Sequence, residues 1–244
     1  MDMNFSRQME LFDAENNKEK VAVIGAGATG SWVALCLAKL GIFKLNILDD
    51  DTIELHNIPN QFFNTDQIGM FKSSAINNNV RLFGSKSTIL SSEIQRVDKD
   101  IIFECLGGYD TVFCLVDSMS ARKEIFESIL DSRKEAQNHD VVSILPKLWI
   151  ETRMGLTGYR LYMIDLDNDY QVEEYMKTLY SDDEAEVSAC GASQSVITTA
   201  MQCASHAVGM FLAKINNAEY IPNELIYDIQ STILLHREFK PKEE

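Results

Sequence analysis

The run VAVIGAGATGSWVALCLAKLG, Val21 to Gly41, leaves the chain few folds to choose from. Val21 to Ile24 is a short β-branched run, Gly25 to Gly30 is a glycine turn, and Ser31 to Leu40 carries a helical pattern that stops at Gly41. LNILDD then reads as a second strand. A strand, helix and strand joined this closely form a βαβ unit, which requires a parallel sheet with right-handed crossovers. Within the turn, Gly25 permits the tight bend, Gly27 lets the backbone approach a phosphate, and Gly30 lets the helix pack close to the strand. The helix N-terminus then offers unpaired N–H groups and the positive end of its dipole to an anion. The turn alone does not separate NAD from ATP, because Asp49, about twenty residues on, can hold the ribose of either.

The remaining patterns extend this unit. Ser73 to Phe83 reads as a helix, KSTILSSEI as a third strand, YDTVFCLVD as a strand ending at Asp117, and SARKEIFESILDSRKEA as an amphipathic helix. KLWIETRM and GYRLYMIDL flank a glycine turn and predict an antiparallel extension. The acidic run DLDNDYQVEEYMKTLYSDDEAEVSA reads as a solvated loop or loose helix, the apolar run Val196 to Ile215 as a buried helix, and ELIYDIQSTILLH as a closing strand or hairpin. The expected fold class is α/β, a Rossmann-like, mostly parallel sheet extended by antiparallel strands in the C-terminal half. The expected organisation is one domain over residues 1–244, with a nucleotide-binding half at 18–145 and an extension at 146–244.

A formal net charge of −15 makes the surface hostile to nucleic-acid phosphates, so DNA is not an expected partner. The N-terminus has no apolar core of the kind a secretion signal needs, and Gln202, Ser205, His206 and Lys214 interrupt the longest apolar run, so no membrane partner is expected. The five cysteines include no C-x-x-C pair, which predicts no structural zinc and a reducing, cytoplasmic setting.

LDDDTIELHNIPNQ, Leu48 to Gln61, arbitrates between nucleotides. It resembles the second motif of the ThiF-type adenylyltransferases of the ubiquitin-activating-enzyme-like superfamily, roughly D-x-D-x-V-x-x-x-N-L-x-R-Q, with Asp49, Asp51, Asn57 and Gln61 in register. IGMFKSSA resembles the family's G-x-x-K and places Lys72 as its phosphate-binding lysine. LVDSMSAR resembles D-x-x-x-x-R and places Asp117 as its magnesium-associated aspartate. FSRQMELF resembles an N-terminal segment whose arginine, here Arg7, reaches the nucleotide of the partner subunit. The resemblance covers about Ser6 to Ile215. It implies ATP and Mg2+ as cofactors, a homodimer, and a substrate that is the C-terminal tail of a small ubiquitin-fold or sulfur-carrier protein.

The chemistry agrees with those residue types. Adenylylation brings a carboxylate to the α-phosphate of ATP, so two anions must meet and the site needs cations and neutral donors. Lys72 supplies a point charge, Asn57 and Gln61 supply amide donors, and Asp117 is a hard oxygen ligand suited to magnesium.

Two residues leave the reading open. Asn60 stands where the family pattern has arginine, and an amide offers two donors and no charge. Arg7, Arg122 or Arg153 could replace that guanidinium; otherwise the chain is a nucleotide-binding scaffold. Cys190, just before the long helix, is either a thiol that receives the activated acyl group or a small apolar residue packed at the helix start. Trp32 and His206 read as packing residues, and Arg122 as either a salt-bridge partner or a phosphate contact.

Overall fold

A computed structural model describes residues 3–97, 101–137, 144–180 and 196–241. Its centre is an eight-stranded sheet in the order β3-β2-β1-β4-β5-β6-β7-β8. The strands are β1 (Lys20–Ile24), β2 (Lys44–Leu48), β3 (Ile89–Glu93), β4 (Thr111–Cys114), β5 (Leu148–Met154), β6 (Gly158–Asp165), β7 (Glu224–Asp228) and β8 (Ile233–Arg237). The first five are mutually parallel and the last three add antiparallel. The expected α/β class and the antiparallel extension are both present. β1 and β4 are buried nearly throughout, which is why both read as continuous apolar runs rather than alternating ones.

The helices are α1 (Ala28–Leu40), α2 (Lys72–Phe83), α3 (Ile102–Leu106), α4 (Met119–Gln137), α5 (Asp169–Met176) and α6 (Ile197–Ile215). One face of the sheet carries α1, α2 and α6 over a core that includes Val33, Leu37, Phe113 and Phe211. The other carries α3, α4 and α5 over Phe126, Trp149, Tyr162 and Tyr175. α1 ends where Gly41 takes a left-handed φ of 82° and its N–H bonds back to Ala38. That conformation suits glycine, and it stops the helix. α6 buries Ala200, Cys203, Ala204, Ala207 and Phe211 along one stripe, and these mostly small side chains let it lie close against α1.

Two expectations are corrected, and one element has no counterpart in the sequence reading. β4 ends at Cys114, so Asp117 stands on the loop before α4 rather than on the strand. α3 went unread because it is a single short turn of helix. The acidic run is not simply a solvated face: within it α5 is capped by Asn168 and drives Tyr175, fully buried, against Trp149, Phe126 and Tyr162. One buried aromatic outweighs the polar composition of such a helix, since burying a side chain of that size contributes about 2 kcal/mol or more. Among the described residues no helix is long and apolar enough to cross a membrane.

Candidate functional site

The strand order reverses between β1 and β4, so the loops leaving their C-terminal ends diverge and open a crevice there. Gly25 leaves β1 at a φ of 93°, and a Cβ on it would stand 2.8 Å from the Leu115 carbonyl oxygen on the neighbouring loop. A Cβ on Gly30 would stand 1.8 Å from the Gly25 oxygen, so α1 sits on its own turn as only glycine permits. Gly27 differs: a Cβ there meets no protein atom within 4 Å, and the space it would enter is the cleft. The first N–H groups of α1, which have no acceptor within the helix, open onto that space.

Asp49 ties this turn to the loop after β2. Its Oδ2 accepts from Ala26 N–H at 2.6 Å and its Oδ1 from Asp51 N–H at 2.9 Å. Burial pushes its carboxyl up, against the pull of Ala26 N–H and the Lys72 ammonium. Lys72 opens α2, donates to Asp51 Oδ2 at 2.7 Å, and is one-tenth exposed where Asp51 is mostly exposed. Ser73 Oγ donates to the Asp49 carbonyl at 2.9 Å, which fixes the start of α2 against the acidic loop.

The segment holding Asn57 to Gln61 is drawn over the N-terminus of α1. Trp32 Nε1 donates to the Asn60 carbonyl at 3.0 Å, its ring packs on Phe62 at 5.1 Å, and Ser31 Oγ accepts from Phe62 N–H at 3.0 Å. Behind it, Gln67 and Asn79 join side chain to side chain at 2.8 Å, and Asn79 donates to the Phe62 carbonyl at 2.7 Å. Asn57 is buried and its Oδ1 accepts from Glu54 N–H at 2.8 Å, closing a short 3-10 turn over Leu55–Asn57. Gln61 Oε1 is buried with no hydrogen-bond partner among the described residues. A buried amide oxygen without a donor is costly, and an amide carries both an acceptor and two donors for a polar group brought to it. Its environment therefore suits a polar ligand.

Asp117, exposed, lines the cleft, as do Gly25, Gly27, Asp49, Asp51, Asn57, Asn60, Gln61 and Lys72. The structure thus brings together most of the residues singled out from the sequence. Arg122 and Arg153 line the same cleft, but both are held by a carboxylate of the protein itself. Glu151, wholly buried, takes Arg122 Nε at 2.6 Å and Arg153 Nη2 at 3.1 Å, and the Tyr175 hydroxyl donates to its Oε2 at 3.1 Å. Arg122 also donates to the carbonyls of Val116 and Thr152, and Arg153 to the carbonyl and hydroxyl of Thr178. A buried carboxylate demands such partners. Of the two readings of Arg122, the structure shows the salt bridge.

Arg7 is exposed and away from its own chain's cleft. Its segment packs at the far end of α1, where Gln8 Nε2 donates to the Leu40 carbonyl at 2.8 Å, about 20 Å along the helix from the glycine turn. Cys190 lies outside the described residues. Burial pushes the thiols of Cys114 and Cys203 up to about 12, which leaves both inert. His206 packs as a structural residue against Tyr159, its Nδ1 2.6 Å from the hydroxyl. Glu151, Tyr175, Ser31 and Gln67 went unnoticed in the sequence, and only the charge inside the strand-like IETRM pointed to any of them.

A family model described as the ThiF family matches residues 5–244. The chain belongs to the ThiF family. Among curated proteins it is similar to "Adenylyltransferase and sulfurtransferase MOCS3" of Aedes aegypti, 32% identical over 144 residues, which are 59% of this chain and 33% of that one. It is also similar to "Ubiquitin-like modifier-activating enzyme 5" of Culex quinquefasciatus, 33% identical over 119 residues, 44% of this chain and 30% of that one. The chain therefore spans about a third of the length of these two relatives. Among solved structures, PaaA matches with a TM-score of 0.70 at 20% identity, over 96% of this chain and 80% of that one. E. coli MccB with ATP matches at 0.64 and 13% identity, over 94% and 66%. At such identities the likeness is one of fold. It is the fold expected of a ThiF chain, with the glycine turn, Lys72 and Asp117 around one crevice.

Proposed function

We propose that this ThiF-family chain, acting as a single domain, adenylylates a carboxylate with ATP. The carboxylate best fitting the relatives' names is the C-terminal glycine of a small ubiquitin-like or sulfur-carrier protein. The observation that carries the reading is the convergence of Gly27, Lys72, Gln61 and Asp117 on one cleft at the switch point. MccB, of the same fold, was solved with ATP.

In this reading the carboxylate oxygen bonds to the α-phosphorus, the bond to the bridging oxygen breaks, and pyrophosphate leaves with the electron pair. The turn at Gly27 and the first N–H groups of α1 hold phosphate oxygens, and Asp49 accepts from the ribose. Lys72 offsets phosphate charge, turning from Asp51, while Asn57 and Gln61 donate without adding counter-charge. Asp117 fits magnesium, which is commonly held by one or two carboxylates alongside substrate phosphates. Magnesium bound there would neutralise part of the phosphate charge. No group of three metal-ligating side chains occurs among the described residues, and a shared site of this kind does not need one. Arg7 sits near the far end of its own α1, away from that chain's cleft, and in this reading the protein is a homodimer in which Arg7 of the partner subunit reaches the nucleotide. Cys190 remains the candidate acceptor of the activated acyl group.

Carboxylate-dependent ATP–pyrophosphate exchange tests the reading. Exchange is expected with a Gly-Gly-ending carrier protein, and Asp117→Ala is expected to lower it about 100-fold or more. Asn60 favours a second reading, a scaffold that binds ATP without chemistry. Tight ATP binding with no exchange for any carrier supplied supports that one, and Asn60→Arg is then expected to bring exchange above background.

A further inference from the structure

Beyond the nucleotide end, the cleft reaches the outer antiparallel strands, on the face of the sheet that carries α5. One cross-strand row runs Cys114, Glu151, Tyr162, Glu224, Arg237 from β4 to β8, and the next runs Arg153, Arg160, Ile226, Leu235. Members of one row share a face of the sheet. Arg153 and Arg160 are thus directly opposed, an arrangement of like charges that destabilises a sheet. Glu224 gathers the outer cations. Its side chain is 8% exposed and accepts from the Tyr162 hydroxyl at 2.8 Å, with Arg160 Nη1 at 3.3 Å and Arg237 Nε at 3.7 Å. The two guanidiniums are 54% and 56% exposed, so one nearly buried carboxylate holds two half-exposed cations at the cleft surface. Arg237 also lies 3.7 Å from Glu174, but that carboxylate is held by Lys177 at 2.5 Å. Asp228, farther along β7, is turned to Ser231 and Thr157. At Glu224 two guanidiniums share one carboxylate, on a chain whose net charge is −15. Exposed Leu235 and half-buried Ile226 border the pair.

We propose that Arg160 and Arg237 read acidic side chains on the tail of the acceptor whose terminal carboxylate is adenylylated, which rests on the function proposed above. The spacing sets where those acids stand. β6 and β8 lie two and four strands from β4, about 10 and 19 Å at the usual strand separation. An extended chain advances about 3.3 Å per residue, so the acids fall about three to six residues before the C-terminus. Planar guanidiniums with unused N–H donors suit carboxylates, and the apolar border suits the stems that carry them.

The test uses two labelled decapeptides ending in Gly-Gly, one with glutamate at the third to sixth positions from the end and one with serine there. Their binding is followed by fluorescence anisotropy at low salt. The acidic peptide is expected to bind about tenfold more tightly, and the preference to shrink with added salt. It should vanish in the Arg160→Gln, Arg237→Gln double variant, and Arg160→Gln alone should reduce it should the double variant unfold. Equal affinities, binding of neither peptide, or a preference that survives the substitutions would overturn the proposal. ATP binding by calorimetry on the same samples separates the two claims. Absent ATP binding sinks the adenylylation reading and leaves the peptide preference standing, whereas intact ATP binding with no preference sinks this inference alone.

Discussion

Glu151→Ala is expected to destabilise the protein by about 3–5 kcal/mol, which makes it the most damaging single change at the site. The carboxylate is wholly buried and shared by two guanidiniums whose side chains are only 4% and 11% exposed. Removing it leaves two positive charges without a counter-ion and a Tyr175 hydroxyl without an acceptor. Urea unfolding followed by circular dichroism reads the effect as a lower midpoint at unchanged slope. Glu151→Gln keeps the shape and one acceptor oxygen but loses the charge, so its loss should fall between wild type and alanine. A shift below about 1 kcal/mol for the alanine variant would show that water reaches the guanidiniums, contrary to their burial.

The same cluster explains what could be read in advance. β1, α1 and β2 were legible because their periods differ and glycines punctuate them. The cleft residues were legible because Asp49, Asn57, Gln61, Lys72 and Asp117 fall at fixed offsets along short stretches, each placed by its own strand or loop. Glu151 was not legible. Arg122, Glu151 and Tyr175 belong to three separate elements, and nothing local to IETRM says that its glutamate faces inward. The run that holds α5 reads as a solvated loop or loose helix, and its packing was hidden for a related reason: only the contacts of Tyr175 with distant Phe126 and Trp149 draw it into the core. Trp32 was read as a packing residue, but its hydrogen bond to the Asn60 carbonyl joins elements that no pattern links.

Those findings isolate Lys72. Arg122 and Arg153 are spent on Glu151, and Asn60 carries no charge. Arg96 lines the cleft after β3, two strands away from β1. Lys72 is the cation tied, through Asp51 and the Asp49 loop, to the glycine turn. Lys72→Met keeps the apolar stem and removes the charge, so the start of α2 should hold and the urea midpoint should stay near that of wild type. The Asp51 carboxylate, 69% exposed, keeps its hydration when its partner is removed. If Lys72 offsets charge that builds on the phosphates, pyrophosphate exchange should fall about 100- to 1000-fold, in kcat as much as in kcat/KM. A rise in KM at unchanged kcat would assign the lysine to binding ATP rather than to the transfer. Unchanged exchange would place the charge elsewhere, with Arg7 of a second subunit as the group to remove next.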